Sequence, residues 1–191
     1  MTLKDIDWKK QITIPNGLSI IRLGMIPIMA SHILNMDENR LTAFILFLLI
    51  WMTDALDGFI ARQFNQISEL GKVLDPLVDK VFQLTTGICL YMVDRLPLWV
   101  PLIMLAKEVL MVIGGAVMFK KRDLVVGAQW FGKLTTMLLV AAFSFAMLVT
   151  SEYVYLIQYV FVVPVSMSVF SLISYVRYYL DPETGNKQTP V

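Results

Sequence analysis

Apolar residues dominate this chain in long runs, and polar residues fall into short breaks between them. A membrane-spanning helix needs about 20 mostly apolar residues. Six stretches meet that length, roughly Ile14 to Leu34, Leu41 to Arg62, Leu74 to Val93, Leu98 to Phe119, Trp130 to Val149 and Tyr153 to Tyr179. The breaks are Asn35 to Arg40, Gln63 to Val73, Asp94-Arg95, Lys120 to Gln129 and Ser151-Glu152. The pattern predicts an all-α integral membrane protein with six transmembrane helices in one domain, residues 1–180. The polar tail 181–191, with two prolines, reads as disordered. Leu3, Ile6 and Trp8 among charges at the N-terminus fit a short helix lying on the membrane surface, or equally a frayed end.

Composition agrees. Of 191 residues 57% are hydrophobic and 16% charged, against about 25% charged in soluble domains, and the mean hydropathy is +0.68. Disorder is excluded by the apolar content. A net charge of +1 gives no electrostatic basis for binding nucleic acid. The single cysteine, Cys89, excludes a disulfide framework and a cysteine-based zinc site.

Charge placement says more than charge total. Fourteen of the sixteen Lys and Arg residues, Arg22 and the Lys120-Lys121-Arg122 cluster among them, fall on the side that receives both termini. Only Arg40 and Arg95 fall on the other. Positive charge accumulates on the cytoplasmic side, so both termini are expected in the cytoplasm of a multi-pass plasma-membrane protein.

Acidic residues inside spans are costly and usually functional. Asp54 and Asp57 are three residues apart and Asp75 and Asp79 four apart, so each pair shares a helix face. The two helices are expected to run antiparallel, with the pairs facing each other near the cytoplasmic end. Clustered carboxylates repel unless something neutralises them, and hard divalent cations, Mg²⁺ or Mn²⁺, suit oxygen ligands. Two such metals are a common device for phosphoryl transfer. Gly58, Ala61 and Gly71 sit one turn from the acids and leave room for a bulky anion, with Arg62 a fixed cation beside it. Plainer readings exist for single residues: Asp75 before Pro76 suits a helix N-cap, and Asp79-Lys80 or Asp57 with Arg62 suits a boundary ion pair. A cation transporter or channel would also carry intramembrane acids.

Residues 54–79 read D-x2-D-G-x2-A-R-x8-G-x3-D-x3-D. This resembles the signature of the CDP-alcohol phosphatidyltransferase family. The resemblance implies a six-helix membrane enzyme, usually a homodimer, that transfers a phosphatidyl group from CDP-diacylglycerol to an alcohol and releases CMP. It further implies metal ligation by Asp54, Asp57, Asp75 and Asp79, with Asp79 also the general base. Gly58, Ala61, Arg62 and Gly71 would accommodate the nucleotide and its pyrophosphate.

Two further pieces bear on the acceptor. The stretch Ile14-Pro-Asn-Gly-Leu-Ser-Ile-Ile-Arg22 with Pro27 resembles the start of the family's phosphatidylglycerophosphate synthases and cardiolipin synthases. Gly132-Lys133-Leu-Thr-Thr136 is similar to the G-K-x-K-T element of the former, with Thr135 in place of the second lysine. Lys107-Glu108 stands where those synthases carry Arg-Glu, and Ile113 to Val117 is apolar where a further arginine is expected. Glycerol 3-phosphate, with Lys107, Lys133 and Arg122 as its cations, is the acceptor this resemblance implies first. Phosphatidylglycerol, the cardiolipin-synthase acceptor, comes second.

Overall fold

The computed structural model describes residues 13–63, 71–119 and 130–180. The N-terminal segment, the 120–122 cluster and the 181–191 tail therefore lie outside the described residues. Within them the protein is all-helical: α1 Ile14–Leu34, α2 Met36–Gln63, α3 Gly71–Met92, α4 Trp99–Phe119, α5 Trp130–Leu148 and α6 Ile157–Leu180, with a 3-10 turn Ser151–Leu156 before α6.

Local chemistry explains the boundaries. Thr13 caps α1, its hydroxyl accepting from the Asn16 amide at 3.4 Å. Pro15 follows in the first turn, where its missing N–H costs nothing. The polar run after α1 is expected as a connection, yet α2 begins at Met36. Asp37 and Glu38 in its first turn favour a helix start, and the break shrinks to a non-helical Asn39, φ −122°. The start of α3 departs further from expectation. Gly71 opens the helix, so Asp75 is its fifth residue and Pro76 lies inside it. The N-cap reading of Asp75 is thereby overturned.

The chain divides into two compact units, residues 1–94 and 95–191. In the first, α1 packs against both α2 and α3. Ile26, Met29 and Ile33 of α1, Phe47 and Ile50 of α2, and Val78, Phe82 and Leu90 of α3 are buried. The rings of Phe47 and Phe82 stack with centroids 5.1 Å apart. Thr86, buried on α3, donates to the Phe82 carbonyl at 2.8 Å and reaches the Met29 sulfur at 4.0 Å. In the second unit α6 packs on α5 and α4. Phe143 and Phe161 meet edge to face at 5.2 Å. Arg95 is buried, and its Nη1 donates to the Val149 carbonyl at 2.7 Å just beyond α5.

Outward faces are apolar as well. Ile20, Ile21 and Leu41 in the first unit, and Leu110, Val112 and Tyr159 in the second, are exposed. Such density of exposed apolar side chains suits a lipid solvent. Among the described residues, Pro15–Leu34 and Glu152–Ser174 are long and apolar enough to cross a membrane. Buried and exposed positions should therefore respond differently to truncation. Phe47→Ala or Phe143→Ala should cost about 3 kcal/mol, while Leu110→Ala should change the melting temperature in detergent little. Equal losses at all three positions would contradict this core.

Candidate active site

The site is built on the first unit, and α1 organises it. Asn16, Ser19 and Arg22 recur at three-residue spacing, which places them along one side of a helix. All three are buried, Arg22 to 1% exposure. A buried guanidinium needs an anionic partner, and it has one: Arg22 Nη1 donates to Asp54 Oδ1 on α2 in an ion pair. Three residues earlier the Ser19 hydroxyl donates to Asp75 Oδ1 on α3 at 2.5 Å, with the Pro15 carbonyl a second acceptor 3.1 Å away. One stripe of α1 thus grips an aspartate from each neighbouring helix. Asp54 and Asp75 also lie within electrostatic range of each other.

Asp79 sits one turn beyond Asp75 on α3. The Gln83 side-chain amide donates to both of its carboxylate oxygens, at 3.0 and 2.9 Å. Gly71, the first residue of the same helix, is buried. Asp57, Gly58, Ala61 and Arg62 lie in the last turns of α2; their side chains are outside the described residues.

The donor chemistry suits a hard divalent cation. Asp54 and Asp75 are held through one oxygen each, Oδ1, which leaves the second oxygen of each carboxylate for coordination. The Asp54 side chain remains 38% exposed, so a ligand has access to it. Among the described residues, which do not include the Asp57 side chain, no three His, Cys, Asp or Glu groups form a metal cluster.

The residues assigned to the acceptor are placed differently. Lys107, on α4 in the second unit, pairs with Glu108 at 2.7 Å. Lys133 lies in the first turn of α5, its side chain outside the described residues, as is all of Arg122. Thr135, at the position of the synthases' second lysine, is buried.

In the sequence Arg22 stands as an orientation charge and, with Ser19, as part of the Ile14 to Arg22 stretch, with no contact assigned to either, and Gln83 carries no assignment. Arg22 is also the internal counter-ion of Asp54. The signal was present: three polar residues at i, i+3 and i+6 in an otherwise apolar span, and an amide one turn after an acid.

Comparison with known proteins identifies the family. The sequence profile of the CDP-alcohol phosphatidyltransferases matches residues 12–170. The chain is 34% identical over 128 residues to the CDP-diacylglycerol–glycerol-3-phosphate 3-phosphatidyltransferase of Aquifex aeolicus, covering 66% of this chain and 70% of that one. It is 33% identical over 141 residues to the CMP-forming cardiolipin synthase of Streptomyces coelicolor, covering 72% and 66%. With the rat CMP-forming cardiolipin synthase it shares 42% over 101 residues, 52% of this chain but a third, 33%, of the relative. A match over most of the chain makes it a phosphatidyltransferase and not a cation pathway. The protein belongs to the CDP-alcohol phosphatidyltransferase family.

Proposed function

We propose that this protein is a six-span plasma-membrane enzyme, both termini cytoplasmic, that transfers the phosphatidyl group of CDP-diacylglycerol to glycerol 3-phosphate. The products are phosphatidylglycerophosphate and CMP. The observation that carries the reading is the anchoring of Asp54 and Asp75, from separate helices, by Arg22 and Ser19 of a third. Pre-positioned carboxylates cost little reorganisation when the donor binds.

Two divalent cations, Mg²⁺ or Mn²⁺, held by Asp54, Asp57, Asp75 and Asp79 would neutralise the donor pyrophosphate and the charge on departing CMP. Asp79 accepts the proton of the acceptor hydroxyl. The acceptor oxygen bonds to the lipid-linked phosphorus as the bond from that phosphorus to the CMP oxygen breaks. Gly58, Ala61 and Gly71 give the nucleotide room, and Arg62 offers it a fixed cation. Lys107, Lys133 and Arg122 are assigned to the acceptor phosphate. The working form is a homodimer.

A second reading has specific support. Lys107 is engaged by Glu108, and Thr135 replaces a lysine, so two cations a free phosphate would want are committed or missing. Those features, with the similarity to cardiolipin synthases, favour phosphatidylglycerol as the alternative acceptor.

Purified protein with CDP-diacylglycerol and Mn²⁺ should release CMP when glycerol 3-phosphate is added, and stop on chelation or in Asp79→Asn. Product formed only with phosphatidylglycerol would transfer the assignment to the second reading. No CMP release with either alcohol, or metal-dependent ion flux in its place, would overturn both.

Arg22→Ala should abolish measurable turnover and lower stability by about 2 kcal/mol. This is below the usual loss for a buried pair because Asp54 is partly solvated. Ser19→Ala should leave folding nearly intact and reduce kcat by about tenfold, as outer-shell hydrogen-bond losses do.

Orientation has its own check. In a Cys89→Ala background, Asp37→Cys and Glu152→Cys should label from outside intact cells with a membrane-impermeant maleimide, and Lys121→Cys should not. The reverse pattern would invert the topology.

A further inference from the structure

Gln83 lies one turn after Asp79 on α3, and both side chains are half-buried. Its Nε2 stands 3.0 Å from Asp79 Oδ1 and 2.9 Å from Oδ2. Near-equal distances put the amide nitrogen midway between the two oxygens, and as a hydrogen-bond donor to both it faces the open side of the carboxylate. That side is where a cation binds when a carboxylate chelates through both oxygens. An amide there covers the inner lone pairs and leaves the outer ones directed away from Gln83.

We propose that Gln83 is a positioning residue that keeps Asp79 from chelating a metal with both oxygens, so that one oxygen serves the metal while the other takes the acceptor proton. This rests on the proposed reading of the site and explains how one carboxylate fills two roles there. A cation chelated by both oxygens would leave Asp79 a poor base, because each oxygen would share its charge with the metal. The ordinary role of a Gln and Asp one turn apart is to stabilise a helix by about 0.2–0.5 kcal/mol. That role does not require the amide to straddle both oxygens, and it predicts no effect on metal affinity.

Gln83→Met keeps the length and bulk of the side chain and removes the donor. In full-length protein in detergent, Mn²⁺ binding followed by electron paramagnetic resonance without substrate should tighten at least threefold in Gln83→Met. In the same variant kcat for CMP release should fall about tenfold, with KM for CDP-diacylglycerol unchanged. Should Gln83→Met fail to fold, Gln83→Asn, one methylene too short to straddle the carboxylate, carries the same expectations. Unchanged or weaker Mn²⁺ binding beside normal unsubstituted turnover overturns this inference alone, as does an unchanged kcat. Absence of CMP release from the unsubstituted protein, with either alcohol, overturns the reading of the site and this inference with it.

Discussion

The first unit depends on how a buried arginine and a carboxylate neutralise each other across two helices. Arg22 is 1% exposed, and without Asp54 its charge would be stranded in a low-dielectric interior at a cost of several kcal/mol. The pair fixes the rotation of α1 relative to α2. Once that rotation is set, the remaining positions on the same side of α1 have little choice. Ser19 meets Asp75 on α3, while Ile26, Met29 and Ile33 further along the helix meet the apolar core. Polar recognition at one end and close packing at the other are consequences of a single orientation.

This division of labour suits a catalyst embedded in lipid. Apolar packing between helices is weakly directional there, because lipid tails compete for the same surfaces. Hydrogen bonds and ion pairs between helices supply the direction. In the proposed reading Asp54 and Asp75 are therefore both chemical groups and part of the framework. Replacing either of them tests the scaffold as well as the reaction, which is why variants of their neighbours discriminate better than variants of the acids.

Much of the architecture was legible in the sequence. The stretch from Ile14 to Leu34 is a helix with those same ends, because Thr13 and Pro15 mark its start and Asn35 its stop. The later helices fall within a few residues of their apolar runs. The misjudged places are those where local rules compete. Asp75-Pro76 looks like a helix start, but α3 begins a turn earlier and absorbs the proline. Asn35 to Arg40 looks like a loop, but acidic residues there favour a new helix over an open connection. Arg22 was harder to read, since a tally of charges by membrane side assumes that each cation faces water. Only the packing of α1 against α2 shows that this one faces inward. The acids themselves stood out in the sequence because their spacing is independent of tertiary context. Their partners Ser19 and Arg22 did not, being 56 and 32 residues away along the chain.

Pro76 has a consequence for depth. It lacks an amide hydrogen, so the carbonyl four residues earlier, at position 72, has no donor from the regular helical ladder. In hydrocarbon a backbone oxygen without a partner costs several kcal/mol, whereas at the headgroup boundary water supplies one. In the six-span reading proposed above, the first turns of α3 would sit at the water boundary, with the apolar remainder below it. A single proline acts as a waterline on the helix, and it draws that line beside Asp75.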